Sequence, residues 1–396
     1  MNEVTRARVQ LFAVLLIIII AAHILLIKLF VFNHPEAEPA KEPAVEASAT
    51  ESTESTAAAA VQTAAAQPAE KPEASEEKPG FWSRLFGFSR KPAAKPVAKT
   101  PEPPPPPVYR YKKPTGNPKF GQPFNFATAV RGNLPANVVP GSAGARTGIM
   151  VDLNTRNVLW EKDSFRMVPV ASMVKMMTLL LTFEEMERNP AISLDTPVKI
   201  TRTVLKVPRT GIIWLDPRET FPLSDLLKAV TIKSANDAAT QVAEFIGGDV
   251  NSFIIRMNQR ARSLGMMHSK FVSPCGLKDK KLGNSLSCAR DMVVVGEQLL
   301  EYPPVMQWST TKQDSIREGD KKTILTTTNK LVNPRWPGVD GLKTGYTADA
   351  GSCLTFSVLR DGRRILGCVT GFKSARDRDR FCRKLIDWGY RRAATL

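Results

Sequence analysis

Apolar residues fall along this chain in blocks, and the blocks mark out its organisation. From Leu11 to Ile27 only His23 interrupts a run of apolar side chains, and Leu29 to Phe32 prolong it beyond Lys28. About 20 apolar residues carry a helix across a bilayer, so residues 11–32 are just long enough to span one. A cleaved signal peptide has a shorter apolar core, with a small-x-small site close behind it. Here the nearest good site, Ala47-Ser48-Ala49, lies too far downstream. The expectation is a retained transmembrane anchor. Arg6 and Arg8 then hold residues 1–10 in the cytoplasm and place the rest of the chain outside it, on a single-pass tether in the cytoplasmic (inner) membrane.

No such pattern marks residues 33–120, which read as a linker. Residues 33–80 are rich in Ala, Pro, Glu, Ser and Thr. They cannot bury enough apolar surface to offset their ordering entropy, so disorder is expected. Lys91 to Lys113 is rich in Pro and Lys, and its Pro103–Pro107 run favours stiff polyproline II. As a coil, about 80 linker residues average ~50 Å between their ends. Between the two tracts, Phe81 to Arg90 interleaves aromatics with arginine. That segment reads either as a short helix on a membrane surface or a partner, or as a linker island with no fixed role.

Periodicity returns near Gly121, where the folded domain, residues 121–396, is expected to begin. Apolar runs Gly148–Val151 and Val158–Trp160 flank Asn154-Thr155-Arg156-Asn157 and predict a hairpin over Arg146–Lys162. Met173 to Arg188 predicts a helix apolar on nearly every side, hence central, with Pro190 as its stop. Residues 223–246 predict two helices interrupted near Lys233–Asn236 and ended by Gly247-Gly248. Ala289–Tyr302 predicts another. After Gly341 the pattern turns strand-like, with Cys353–Leu359 and Ile365–Thr370 joined at Asp361-Gly362, a strong hairpin signal. Arg376–Tyr390 predicts a closing helix. Strands at both ends with helices between them imply an α+β fold whose terminal strands share one sheet.

Charge and cysteines narrow the picture. Of 396 residues, 55 are Lys or Arg and 38 are Asp or Glu, a net charge of +17 that suits anionic surroundings. No zinc-finger spacing, RNA-binding signature or basic heptad array points to nucleic acid. None of the five cysteines forms a C-x-x-C pair, so neither a metal site nor a redox motif is implied. They read as small buried hydrophobes.

Nucleophilic chemistry in this chain has to find a base. His268 is the only histidine beyond the amino-terminal stretch, and no serine elbow accompanies it. Lysine serves instead where burial lowers its pKa. In Ser172-Met173-Val174-Lys175 the two reactive side chains lie one helical turn apart, on one face. The helix start there favours a developing oxyanion and disfavours an ammonium, and desolvation acts in the same direction. S-x-x-K alone occurs about once by chance in a chain this long. A second copy, Ser309-Thr310-Thr311-Lys312, lies in a polar, β-branched stretch with no apolar helical face. Two further triplets separate Ser172 from this decoy. Ser234-Ala235-Asn236 breaks a helical pattern and would project side chains into a cleft. Lys343-Thr344-Gly345 opens a strand, where Lys343 and Thr344 would hold a carboxylate and Gly345 would let an extended ligand pair with the strand edge.

This triplet set, in this order, is shared by class A β-lactamases and penicillin-binding proteins. Residues from about 145 to 390 resemble the low-molecular-weight penicillin-binding D,D-carboxypeptidases. The likeness extends to Pro169–Lys175, Lys233–Ala239, Phe271–Leu277 and Gly338–Thr347. The resemblance implies an antiparallel sheet flanked by helices, with a mostly helical subdomain and the site between them. It implies Ser172 as nucleophile toward the penultimate D-Ala, Lys175 as general base, and Ser234 as proton relay. Asn236 would orient substrate and Lys175, and Lys343 and Thr344 would bind the terminal carboxylate. Backbone N–H groups of Ser172 and Tyr346 would form the oxyanion hole. Arg378 or Arg380 would assist with the carboxylate. The expected partners are peptidoglycan stem peptides and, as covalent inhibitors, β-lactams. No cofactor and no metal is implied.

The likeness has gaps. Ser273 stands where the family's Phe-x-Asn-Pro segment has Asn. Many members add a β-rich domain and a carboxy-terminal amphipathic anchor, which the amino-terminal anchor is expected to replace here. Two rival activities share the motifs. A D,D-endopeptidase would cut cross-links with the same residues. A class A β-lactamase needs a carboxylate roughly 35 residues beyond the S-x-N motif. None occurs between Asp249 and Asp279.

Overall fold

The strand-like runs at the two ends of the folded region close into one sheet. The computed structural model describes residues 120–131, 138–332 and 335–396. β1 (Thr147–Asp152) and β2 (Val158–Lys162) form the first hairpin. β3 (Val339–Thr347), β4 (Gly351–Arg360) and β5 (Arg363–Phe372) form a second, longer meander. The order across the sheet is β2-β1-β5-β4-β3, and every pair is antiparallel. β1 pairs with β5 from Thr147 opposite Thr370 to Asp152 opposite Ile365, which ties the first strand to the last. Asp361 and Gly362 both take positive φ, 50° and 73°, as a two-residue hairpin turn of the primed type demands.

Helices cover both faces of this sheet. In chain order they are α1 (Lys175–Arg188), α2 (Leu223–Lys228), α3 (Asn236–Gly247), α4 (Val250–Ser263), α5 (Ala289–Leu299), α6 (Pro303–Thr310) and α7 (Ala375–Ala393). Alternation along β1 sorts its side chains between two cores. Ile149 and Val151 join the core built by α1 to α6, while Met150 joins Trp160, Phe356, Phe381, Leu385 and Ile386 beneath α7. α1 is the central helix that its composition predicts, buried without a break from Lys175 to Phe183.

Several boundaries differ from the sequence reading. The α-helix begins at Lys175, and Ser172 sits in the 3-10 turn Ala171–Val174 that leads into it. α2 continues as a π-helical turn, Ala229–Lys233, and breaks at Ser234. The triplet Lys343-Thr344-Gly345 lies inside β3 rather than at its opening, because pairing with β4 starts at Val339. The decoy Ser309-Thr310 ends α6 and is not an irregular polar stretch. Pro303 and Pro304 occupy the first helical turn, where a missing N–H costs nothing, and Val305 and Trp308 supply the apolar face. α4 had no expectation; Asp249 caps it by accepting from Asn251 and Ser252 N–H. All five cysteines are buried and free. Among the described residues no helix is long and apolar enough to cross a membrane. The anchor over 11–32, the linker and the Phe81–Arg90 segment lie outside the described residues.

Candidate active site

Ser172 and Lys175 meet at the start of the central helix. Lys175 is fully buried, and its Nζ lies 2.9 Å from Ser172 Oγ, 2.7 Å from Asn236 Oδ1 and 2.6 Å from the Cys275 carbonyl oxygen. Burial lowers Lys175 from 10.5 to about 8, and the neighbouring Cys275 thiol and Asp237 offset only part of this. A neutral amine has two N–H donors and one lone pair. Asn236 and Cys275 present only acceptors to Nζ, so they take the two donors. The lone pair is left facing the Ser172 hydroxyl, which is the geometry of a base ready to accept that proton.

The second triplet is set by a backbone break. Ser234 adopts the left-handed region at φ 63° and ψ 34°, which ends the π-helical turn and turns its side chain away from the helical path. Its Oγ is buried and has no hydrogen-bond partner among the described residues. Asn236 opens α3 and is oriented twice over. Its Nδ2 donates to Thr210 O at 2.7 Å and its backbone N–H to Gly211 O at 2.7 Å. That fixes Oδ1 toward Lys175. Next to it, the Asp237 carboxylate accepts from Ile213 and Leu215 N–H, fastening the 210–215 loop to the same helix start.

The third triplet lies on β3, an edge strand of the sheet. Gly345 passes so close to the Ser172 turn that a Cβ there would stand 2.6 Å from Val170 O. The missing side chain is therefore required by packing against the Ser172 turn, a reason the sequence alone does not give. Gly345→Ala is expected to destabilise the domain by about 1–3 kcal/mol, because the clash is with backbone that cannot swing aside. Thermal denaturation would read this, and an unchanged Tm would contradict it. Lys343 is buried and its Nζ donates to Thr344 O at 3.2 Å. Burial, with the positive Lys175 and Arg378 nearby, holds it well below the ordinary lysine value. Thr344 Oγ1 is 2.6 Å from Thr328 Oγ1. Tyr346 is largely exposed at the mouth.

One cleft of about 790 Å³ gathers Ser172, Ser234, Asn236, Thr344, Gly345 and Tyr346, and Arg378 lines it too. Lys175 and Lys343 lie just beneath its surface. Of the two candidate arginines, Arg378 is the one at the cleft. Its guanidinium is fixed by Asp379 and by the Cys353 carbonyl. Arg380 points elsewhere and pairs with Asp377 at 3.3 Å. Three contributors were not foreseen: the Cys275 carbonyl, Thr328, and the Thr210–Gly211 wall. Ser273, the departure from Asn, closes its own turn by accepting from Gly276 N–H at 2.9 Å and donating to Leu277 O at 3.0 Å. His268 lies away from this cleft, edge-on to Phe165. Its ring sits with Cys288 Sγ and the Asp291 carboxylate within 4.8 Å of one another. Those last two are occupied at the start of α5, where Cys288 caps Asp291 N–H and Asp291 accepts from His268 N–H and Ser269 Oγ.

A serine hydroxyl against a buried lysine, between a helical region and a sheet edge, places the fold among the penicillin-binding, transpeptidase-like α+β proteins. Penicillin-binding protein D2 of Listeria monocytogenes, solved with cefotaxime bound, superposes with a TM-score of 0.56 at 28% identity, over 62% of this chain and 97% of that one. The sequence profile of the D-alanyl-D-alanine carboxypeptidases matches residues 135–374, and the chain belongs to that family. D-alanyl-D-alanine carboxypeptidase DacF of Bacillus subtilis is 33% identical over 247 residues. The match covers 62% of this chain and 62% of that relative's length. A D-alanyl-D-alanine endopeptidase of Pseudomonas aeruginosa is 28% identical over 236 residues, covering 58% of this chain and 73% of the relative.

Proposed function

We propose that this protein is a serine D-alanyl-D-alanine carboxypeptidase that removes the terminal D-alanine from peptidoglycan stem pentapeptides and is acylated by β-lactams. The observation that carries this reading is the saturated, buried Lys175 amine facing Ser172 in a cleft that Thr344 and Arg378 also line. Ser172 Oγ attacks the carbonyl of the penultimate D-Ala and gives its proton to Lys175 Nζ. Backbone N–H groups of Ser172 and Tyr346 stabilise the oxyanion. Collapse expels D-alanine, whose nitrogen takes a proton through Ser234. Water then hydrolyses the acyl-serine by the reverse proton route. Lys343, Thr344 and Arg378 hold the terminal carboxylate, and Asn236 keeps Lys175 and the substrate in register. Family membership, the DacF relative and the cefotaxime-bound neighbour support this assignment. The test is incubation with pentapeptide muropeptides and with cross-linked dimers, with products identified by mass. Release of free D-alanine from the pentapeptide is expected. Cleavage of dimers alone would transfer the assignment to a D,D-endopeptidase.

The same proposal gives the chain an anchor over residues 11–32 in the cytoplasmic membrane, a linker to residue 120 and a catalytic domain over 121–396 outside the cytoplasm. A head on such a tether searches a polymer mesh near the membrane. Removal of residues 1–32 is expected to release a soluble enzyme whose turnover of a small peptide stays within about twofold, while activity on sacculi falls with the lost effective concentration. A well-folded truncation without small-peptide turnover would contradict this modular organisation.

A further inference from the structure

The hollow surface does not end at Arg378. Past Arg378 a second cavity of about 590 Å³ opens between the turn at 140–146, the end of β5 and the first turns of α7. Lys373 lines both cavities, so the two adjoin at that residue. Four cations stand around this groove, Arg146, Lys373, Arg380 and Lys384, against one carboxylate, Asp377. That carboxylate is already engaged. It accepts from Ser374 Oγ at 2.7 Å and pairs with Arg380 at 3.3 Å. Phe372 and Phe381, with ring centroids 5.5 Å apart, make an apolar wall of the groove. A Cβ on Gly144 would stand 3.0 Å from the Phe372 ring, so the small residue there keeps the backbone close against this wall. Lys373, Arg380 and Lys384 are exposed at the rim.

We propose that this groove is a subsite for an acidic peptide branch that continues past the scissile bond, as the second stem peptide of a cross-link does. The inference rests on the carboxypeptidase-type reading of the cleft and deepens it. If Arg378 and Thr344 hold the carboxylate next to the leaving nitrogen, a branch attached to the carbon that bears it can extend past Lys373 toward the basic groove. A free D-alanine leaving group has nothing to place there. A leaving group that is itself a peptide brings further carboxylates and aliphatic stems, which match the cationic rim and the aromatic wall. Such rim charges act on encounter and selection more than on the bond-breaking step. Salt should therefore weaken the preference they confer.

The test uses full-length protein and its Arg380→Glu/Lys384→Glu double variant. Both side chains are exposed, and the Arg380–Asp377 pair they disturb is a surface pair of small energetic weight. Three substrates are compared: an N-acylated tripeptide ending in D-Ala-D-Ala, a cross-linked stem-peptide dimer with free carboxylates, and the same dimer amidated on every carboxylate except the one next to the scissile bond. Wild type is expected to cut the free-carboxylate dimer about tenfold faster than the amidated one, with the preference fading as salt rises. The double variant should lose that preference while tripeptide turnover and penicillin acylation stay within about twofold of wild type. Wild type that cuts neither dimer, or both equally, overturns the subsite, as does a double variant that keeps the preference. Absence of tripeptide turnover and of penicillin acylation in wild type is a separate result, and it sinks the underlying activity instead.

Discussion

Ser172→Ala is expected to abolish covalent labelling by fluorescent penicillin and to lower peptide turnover by a factor on the order of 10⁶, the scale seen when a serine nucleophile is removed from a working set. The substitution leaves the surroundings satisfied. Lys175 keeps its contacts with Asn236 Oδ1 and the Cys275 carbonyl, so no buried amine is orphaned and the fold should stand. Intact mass and peptide mapping would locate the adduct on the wild type, and circular dichroism would check the variant. The second S-x-x-K gives an internal control. Ser309 ends α6 with its hydroxyl buried and unpartnered among the described residues, away from the cleft. An adduct on Ser309, or a labelled Ser172→Ala protein, would overturn the nucleophile assignment.

How far the site was legible in the sequence follows from what kind of atom each contributor uses. Side chains in short motifs were legible. Ser172, Lys175, Ser234, Asn236, Thr344 and Gly345 come together because each triplet sits at a helix start, a helix break or a strand edge, and those features have sequence signals. Backbone contributors were not. The Cys275 carbonyl takes one of the Lys175 hydrogens, yet any residue type can offer a carbonyl, so nothing at position 275 announces it. Its delivery depends on Gly276, whose φ of 85° and approach to Ala171 O exclude a side chain. Ser273 could be seen only as a departure; that its hydroxyl closes the same turn needed coordinates. The choice between Arg378 and Arg380, by contrast, was written in the helix period. Phe381, Cys382, Leu385 and Ile386 mark the buried face of α7, and Arg378 lies three and four residues before the first two of them, whereas Arg380 falls on the opposite side. The fold was legible in outline for a related reason. Period-2 and period-3.6 patterns locate strands and helices, but the short α6, opened by two prolines and closed by Ser-Thr, carries too few periods to stand out from a loop.

Lys175 should govern the pH dependence of the reaction. With its amine at about 8, kcat/KM for a peptide is expected to climb tenfold per unit below that pH and to level off above it. The sign follows from the role: the protonated ammonium has no lone pair for the Ser172 proton, so the active fraction is the neutral one. Between pH 6 and the plateau the loss amounts to about 100-fold. Lys175→Arg keeps a cation and donors but cannot accept a proton near neutral pH, so turnover should drop by at least roughly 10²–10⁴-fold. Because the pocket is closed and a guanidinium is bulkier, Lys175→Met serves as the companion variant. It nearly preserves volume, removes the charge, and should be equally inactive if proton acceptance is what matters. Penicillin acylation should fall in parallel in both, since opening the β-lactam uses the same transfer from Ser172. Stopped-flow acylation across pH 5.5–10 on folded variants would read all of this. Near wild-type acylation by the arginine variant, with the methionine variant dead, would reduce Lys175 to an electrostatic support. The proton acceptor would then have to be sought elsewhere in the cleft.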